Sequence, residues 1–302
     1  MYLEKRTSTS QFVPLRGLPY HVRSWGQPEA ARPVLVMVHG WMDVSASFQF
    51  VLDALQEDRF VVAPDWRGYG LTGSQGADNY WFPDYMGDLD FLIDHFSPTQ
   101  PVDLLGHSMG GNVATLYAGV RPERIRRLIN LEGFGVAATQ PDQAPKRYAK
   151  WMDQLKARHR GELDLRSYDD VSGVARRLMK TNKRLSKDKA DWLAQYWSRR
   201  NSEGQWEILG DPGHKIVNAQ LTRVDETLEI YKGISAPMLF VEAEDNELKT
   251  WYAGKFTYAE FCERLTHISH VRKAIVPDAG HMLHHDQPEI VAQLIEEFLG
   301  QR

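Results

Sequence analysis

Val102-Asp-Leu-Leu-Gly106-His107-Ser108-Met109-Gly110-Gly111-Asn-Val-Ala-Thr-Leu-Tyr117 is the stretch whose reading decides the fold. Residues 102–105 are an apolar run of strand length. Gly111 to Val120 is small and apolar, with Val113, Ala114, Leu116 and Ala118, as expected for a helix packed tightly on a sheet. Between them, Gly106 to Gly110 fits G-x-S-x-G, a sharp strand-to-helix turn that lifts a serine oxygen out of the sheet top. The serine there takes a strained backbone conformation, and a glycine on each side lets strand and helix approach without a clashing Cβ. A five-residue match alone also describes an ordinary glycine-rich turn. Strand, match and helix in succession point to Ser108 as a nucleophile.

Working outward, apolar runs recur at Val34–His39, Phe60–Asp65, Ile125–Leu131, Met238–Ala243 and Val271–Val276. Near-continuous Val, Ile and Leu runs read as buried strands of a parallel sheet. Helical spacing separates them at Ser45–Leu55, Asp84–Phe96 and Pro288–Leu299. Phe12–Leu15 and Tyr20–Trp25 form a candidate edge hairpin around Gly17. The expected fold class is α/β, a doubly wound, mostly parallel sheet. From Phe134 to about Gly233 the alternation stops, with no convincing strand and helical patterns at Tyr148–Leu155 and Ala190–Trp197. An insertion of that length after the sixth strand reads as a helical cap. The expected division is a core of residues 1–133 and 234–302 with a cap of residues 134–233.

The composition is that of a globular chain, 42% hydrophobic and 25% charged. A single cysteine, Cys262, rules out a disulfide within the chain and fits a reducing compartment. The polar MYLEKRTSTSQ start has no apolar signal-peptide region, and no run is long enough to cross a bilayer. Together these predict a soluble cytoplasmic protein. A formal net charge of −4 argues against general nucleic-acid binding. Residues 146–184 nevertheless hold twelve Lys or Arg against five Asp or Glu. Solvated helix faces are the plain reading, and attraction of an anionic substrate the sharper one.

A serine needs a base to take its proton. His281, in Gly280-His281-Met-Leu-His284-His285, follows the last strand and its turn glycine, at the sheet edge expected for Ser108. His284 and His285 are the neighbouring alternatives. His39-Gly40-Trp41 closes an earlier strand. The negative charge that develops on a carbonyl oxygen in acyl transfer calls for two backbone N–H donors. Met109 would supply one and Trp41 the second, with the Trp41 side chain lining the pocket. Asp43 reads as a helix cap over Ser45–Leu55 or as a brace for that loop. Asp65 and Arg67 read as loop braces. Most of Trp151, Trp192, Tyr196 and Trp197 read as core between cap helices.

Together, His39-Gly40, Asp65-Trp-Arg-Gly-Tyr-Gly70, Gly106–Gly110 and Gly280-His281, extending to Asp286-Gln-Pro-Glu289, resemble the α/β-hydrolase superfamily. The resemblance is to its cap-bearing esterases, haloalkane dehalogenases and epoxide hydrolases, and covers the sheet at both ends of the chain. The latter two use an aspartate nucleophile, so Ser108 points instead to ester, thioester, amide or carbon–carbon bond hydrolysis. The resemblance implies an acid after the Met238 strand, as G-x-x-D. Here the stretch is Ala243-Glu244-Asp245-Asn246, with asparagine at the expected place. An amide does not stabilise an imidazolium as a carboxylate does. Some members carry the acid at the end of the strand after the nucleophile helix, which here is Glu132. Glu132 is the first choice, with Asp245 and then Glu244 as alternatives.

The expectation is a serine hydrolase cleaving a carboxylic ester of a small molecule through an acyl-enzyme, needing no metal or cofactor. Thioesterase or carbon–carbon hydrolase activity would use the same residues. A ligand-binding receptor of the same fold is the non-enzymatic alternative.

Overall fold

A computed structural model describes residues 2–30, 32–74 and 76–301. The strands are β1 (Thr9–Leu15), β2 (Leu18–Trp25), β3 (Leu35–Val38), β4 (Val61–Pro64), β5 (Val102–His107), β6 (Ile125–Leu131), β7 (Ser198–Arg200), β8 (Trp206–Ile208), β9 (Met238–Ala243) and β10 (Val271–Val276). Eight of them make one sheet in the order β1-β2-β4-β3-β5-β6-β9-β10. The β1–β2 hairpin is antiparallel and joins β4 antiparallel; from β4 to β10 every pairing is parallel.

The apolar runs alternate between two cores. Val36, Val38, Leu104, Leu128, Met238 and Phe240 enter one cluster, while Leu35, Met37, Leu105, Ile129, Leu239 and Val241 enter the other. This period of two is how a strand buried on both faces serves two layers. Helices α2 (Phe82–Phe96), α3 (Met109–Val120), α7 (Val224–Lys232) and α9 (Tyr258–Leu265) contribute to the first layer. Helices α1 (Gln49–Ala54), α10 (Leu283–Asp286) and α11 (Pro288–Gly300) pack on the second. The predicted helix over 45–55 splits into a 3₁₀ turn, Ser45–Phe48, followed by α1.

The chain leaves β3 outward to β4 and returns to β5 on the other side of β3, so the strand order reverses between β3 and β5. In such sheets the crevice outside the strand C-termini at the switch point is where ligands bind. Register adds to this by aligning Gly106 with Asn130, and Leu131 with Val241. The residues that follow β3, β5, β6, β9 and β10 therefore emerge along one edge.

Between β6 and β9 lie α4 (Ala144–His159), α5 (Val171–Thr181), α6 (Lys187–Trp197) and α7. The expectation of a strand-free stretch here is corrected by β7 and β8, an antiparallel pair. Strands of three residues carry too little alternation to stand out in the sequence. The turn chemistry is what forms them: Gly204 is at φ +82° and the Asn201 side chain accepts from the Glu203 and Gln205 N–H groups. Val174, Ala175, Leu178 and Leu193 pack with Val44 and Phe50 in a third apolar cluster, which ties α5 and α6 to the loop after β3 and to α1. Trp192 is in that cluster, against Phe50. Among the described residues, no helix is long and apolar enough to cross a membrane.

Glycine at 106 and 110 has the steric basis expected. A Cβ on Gly106 would stand 2.2 Å from the Gly110 carbonyl oxygen, and one on Gly110 the same distance from that of Val38. Both obstacles are backbone and cannot rotate away. Gly110→Ala is therefore expected to destabilise the fold by about 3 kcal/mol or more, as overpacking does. The shift of the urea midpoint at constant slope measures it; a midpoint like that of the wild type would contradict the clash.

Candidate active site

Ser108 lies between β5 and α3 at φ +53°, ψ −115°, a conformation rarely held by a residue with a side chain. The surroundings over-determine it. The Ser108 N–H donates to the Leu131 carbonyl at 2.8 Å, and the Asn112 N–H to the Ser108 carbonyl at 3.0 Å. Strain of this kind persists where neighbours enforce it, and here it lifts Oγ above the sheet edge.

His281 follows β10 in a loop pinned at Gly280, whose N–H donates to Asp286 at 2.9 Å. Its Nε2 accepts from the Ser108 hydroxyl at 2.9 Å, and its Nδ1–H faces the Glu132 carboxylate at 3.3 Å. The His281 carbonyl accepts from His107 Nε2 at 2.8 Å. Trp251, in α8 (Leu248–Tyr252), stands edge-on to the His281 ring at 4.3 Å between centroids. His284 and His285 are buried in α10, and neither is hydrogen-bonded to Ser108.

Glu132 follows β6 at φ +58°. Asn130 brackets the turn: its Oδ1 accepts from the Gly133 N–H at 2.7 Å, and its Nδ2 donates to the Gly133 carbonyl and to Thr115 on α3. In the sequence, Asn130 carries no signal beyond its place two residues before Glu132. One Glu132 oxygen accepts from the Ala243 N–H at 2.7 Å, leaving the other for His281. The Glu132 side chain has no solvent exposure, whereas that of Asp245 is 64% exposed and pairs with Arg184. Glu244 is likewise turned away, accepting from the Asp278 N–H. Burial pushes the Glu132 carboxyl up to about 8, partly offset by the Ala243 N–H. Burial also pushes His281 down to about 4. Both shifts disfavour the charged form of a group out of water.

Gly40 is packed against Ser108, since a Cβ there would stand 3.1 Å from the Ser108 Cβ. This brings the His39-Gly40-Trp41 loop beside Met109. Met109 opens α3, so its N–H has no acceptor within the helix. His39 is structural: Nδ1–H donates to the Gly40 carbonyl at 2.8 Å, and Nε2 accepts from the Trp66 N–H at 3.0 Å. A cavity of about 410 Å³ opens in front of Ser108, walled by Trp41, Arg177, Leu178, Trp197 and Trp251. Of the aromatics on α4 and α6, Trp197 is the one that meets this space. Arg177 reaches it from the basic stretch, but Glu247 shares the wall, so the local charge is mixed.

Asp43 departs from the helix-cap expectation. The 3₁₀ turn it precedes has no side-chain cap. Asp43 Oδ1 accepts instead from the Val44 N–H, the Ser47 hydroxyl and Trp197 Nε1. The N–H of Ser45 goes to Asp65 at 2.7 Å, which also accepts from His21 and the Leu71 N–H. Asp65 outcompetes Asp43 because the end of β4 places its carboxylate at the helix entrance. Arg67 is held by both oxygens of Asp88. Asp43, His107 and His284 form the only group of metal-ligating type among the described residues.

Residues 33–288 match the family model described as alpha/beta hydrolase fold. A serine hydrolase-like protein of Danio rerio is 27% identical over 290 residues, covering 91% of this chain and 83% of its own length. A cis-3-alkyl-4-alkyloxetan-2-one decarboxylase of Shewanella oneidensis is 26% identical over 95% of this chain and 87% of its own. Among solved structures, the thioesterase domain from the curacin biosynthetic pathway aligns with a TM-score of 0.81 at 25% identity, over 96% of this chain and 99% of that one.

Proposed function

The chain belongs to the α/β-hydrolase fold family, and from that premise we propose that it is a serine hydrolase that cleaves a carboxylic ester of a small molecule through an acyl-enzyme. The observation that carries this reading is the Ser108 hydroxyl donating to His281 Nε2 at 2.9 Å, with the Glu132 carboxylate behind the same ring. Ser108 attacks the ester carbonyl and His281 takes its proton. The imidazolium that forms is stabilised by Glu132, which also keeps the proton of the resting ring on Nδ1. The N–H groups of Trp41 and Met109 receive the oxyanion. His281 then protonates the leaving alcohol, and a water activated by the same ring releases the acid. In this reading residues 134–233 are the cap that selects the substrate, with Trp197 and Leu178 as its contact surface.

Hydrolysis of a thioester is the second reading, favoured by the likeness to the thioesterase domain over nearly the whole chain. The same residues serve it. Turnover of p-nitrophenyl esters of graded chain length against acyl-CoA substrates separates the two.

A fluorophosphonate probe is expected to label Ser108. The rate should rise with pH through about 8, because the buried Glu132 carboxyl is neutral below that value and supports the imidazolium only once ionised. Peptide mass spectrometry locates the label. A folded protein with no label on Ser108 overturns the assignment.

A further inference from the structure

Beside Ser108 is a buried cluster that the hydrolytic chemistry does not use. Asp43, His107 and His284 are 3%, 1% and 0% exposed, and one ligand-type atom of each lies within 4.8 Å of the others. Each also has a polar atom without a hydrogen-bond partner among the described residues: Oδ2 of Asp43, Nδ1 of His107 and both ring nitrogens of His284. Buried polar atoms are nearly always satisfied, so four orphans in one place require a partner.

The bonds already made identify that partner's chemistry. His107 donates its Nε2–H to the His281 carbonyl, which fixes the tautomer and leaves Nδ1 as a lone pair. Asp43 commits Oδ1 to three donors and leaves Oδ2 free. An imidazole that donates its far N–H to a backbone carbonyl, and a carboxylate anchored through its other oxygen, are the outer-shell arrangement of metal ligands. Two imidazoles and a carboxylate suit a zinc-type divalent transition ion rather than magnesium or calcium. Zinc holds tetrahedral ligand atoms about 3.4 Å apart, so the cluster needs only modest side-chain rotation to close.

We propose that Asp43, His107 and His284 form a buried binding site for one divalent transition ion, typified by Zn²⁺. Asp43 and His107 also line the cavity in front of Ser108, so the ion enters from the substrate side. An ion there occupies the wall of that cavity and slows acylation of Ser108. This consequence rests on the nucleophile assignment; the ion binding does not.

The test uses the full chain stripped with EDTA, dialysed, loaded with zinc sulfate and dialysed again. Elemental analysis is expected to find one zinc per chain, and calorimetric titration a single site. Asp43→Asn and His284→Phe should each weaken binding by at least about 100-fold. Near-UV circular dichroism checks that each variant is folded. If the folded wild-type chain retains no zinc, or binds it no more tightly than the folded variants, the proposal is overturned and the orphaned atoms are bridged by water. Zinc retained at one per chain without slower fluorophosphonate labelling would keep the site and overturn only its effect on Ser108. A folded, EDTA-stripped chain that is still unlabelled at Ser108 would instead count against the serine assignment and leave the ion site standing.

Discussion

Turnover of an activated ester is expected to fall about a million-fold in Ser108→Ala and about ten-thousand-fold in Glu132→Gln. Asp245→Asn should cost less than about threefold, since an exposed ion pair is worth little. The middle member of the series is the informative one. Glu132→Gln keeps the volume of the buried side chain and an oxygen for the Ala243 N–H, so the turn held by Asn130 survives. What reverses is the face toward His281. An amide NH₂ there donates to Nδ1 and moves the ring proton to Nε2, where it can no longer accept from Ser108. A ten-thousand-fold loss is about 5.4 kcal/mol of transition-state stabilisation, too large for a packing defect 3.3 Å from the ring. Values of kcat at saturating ester above pH 8, where Glu132 is ionised, with near-UV spectra to verify folding, decide it. Loss of several orders of magnitude in Asp245→Asn, with Glu132→Gln active, would move the acid to the loop after β9.

The strands β3, β5, β6, β9 and β10 were readable in the sequence because each is buried on both faces and so runs apolar without interruption. Ser108 and His281 were readable because turn glycines mark where strands end. Glu132 was readable as a carboxylate closing an apolar run, a costly place for one without a partner. What stayed hidden is what distant segments do to one another. Trp251 has no local signal that it will stand against His281. Asp43 and Asp65 compete for the same helix entrance, and only the pairing of β4 beside β3 decides in favour of Asp65. The β7–β8 pair depends on an Asn201–Gly204 turn rather than on strand periodicity. The cluster of Asp43, His107 and His284 joins the loop after β3, the end of β5 and the start of α10, more than 60 residues apart in sequence, which no spacing rule connects.

Acid should unfold this chain cooperatively between about pH 3 and 5 when metal is removed with EDTA. Six histidines are held neutral by burial. His39 and His281 are pushed down to about 4, His214 and His285 to about 3, and His107 and His284 well below the usual range. His214 illustrates the cause, as its ring is stacked between Tyr69 and Tyr80 at 3.7 and 3.8 Å. A lowered histidine pKa gives stability that is complete above the unfolded value of about 6.5 and is lost as pH falls through it. Two carboxyls act in the opposite sense. Burial raises Glu132 to about 8 and Asp43 to about 7, so below those values the folded chain holds two protons that the unfolded chain releases. That contribution is complete only below the unfolded carboxyl range and is lost as pH rises. Near pH 5.5 unfolding therefore takes up six protons at histidine and gives back two, a net of about four. Each proton is worth about 1.4 kcal/mol per pH unit, so stability falls by about 5 kcal/mol for each unit below 6. A total stability of about 5–15 kcal/mol is exhausted within about one to three units. Urea midpoints at pH 7, 6 and 5.5 give the slope directly. His214→Phe, which keeps an aromatic ring between the two tyrosines, should reduce the net uptake by one proton. A slope below about 1.4 kcal/mol per unit would mean that these histidines are already charged in the folded chain, or remain neutral in the unfolded one.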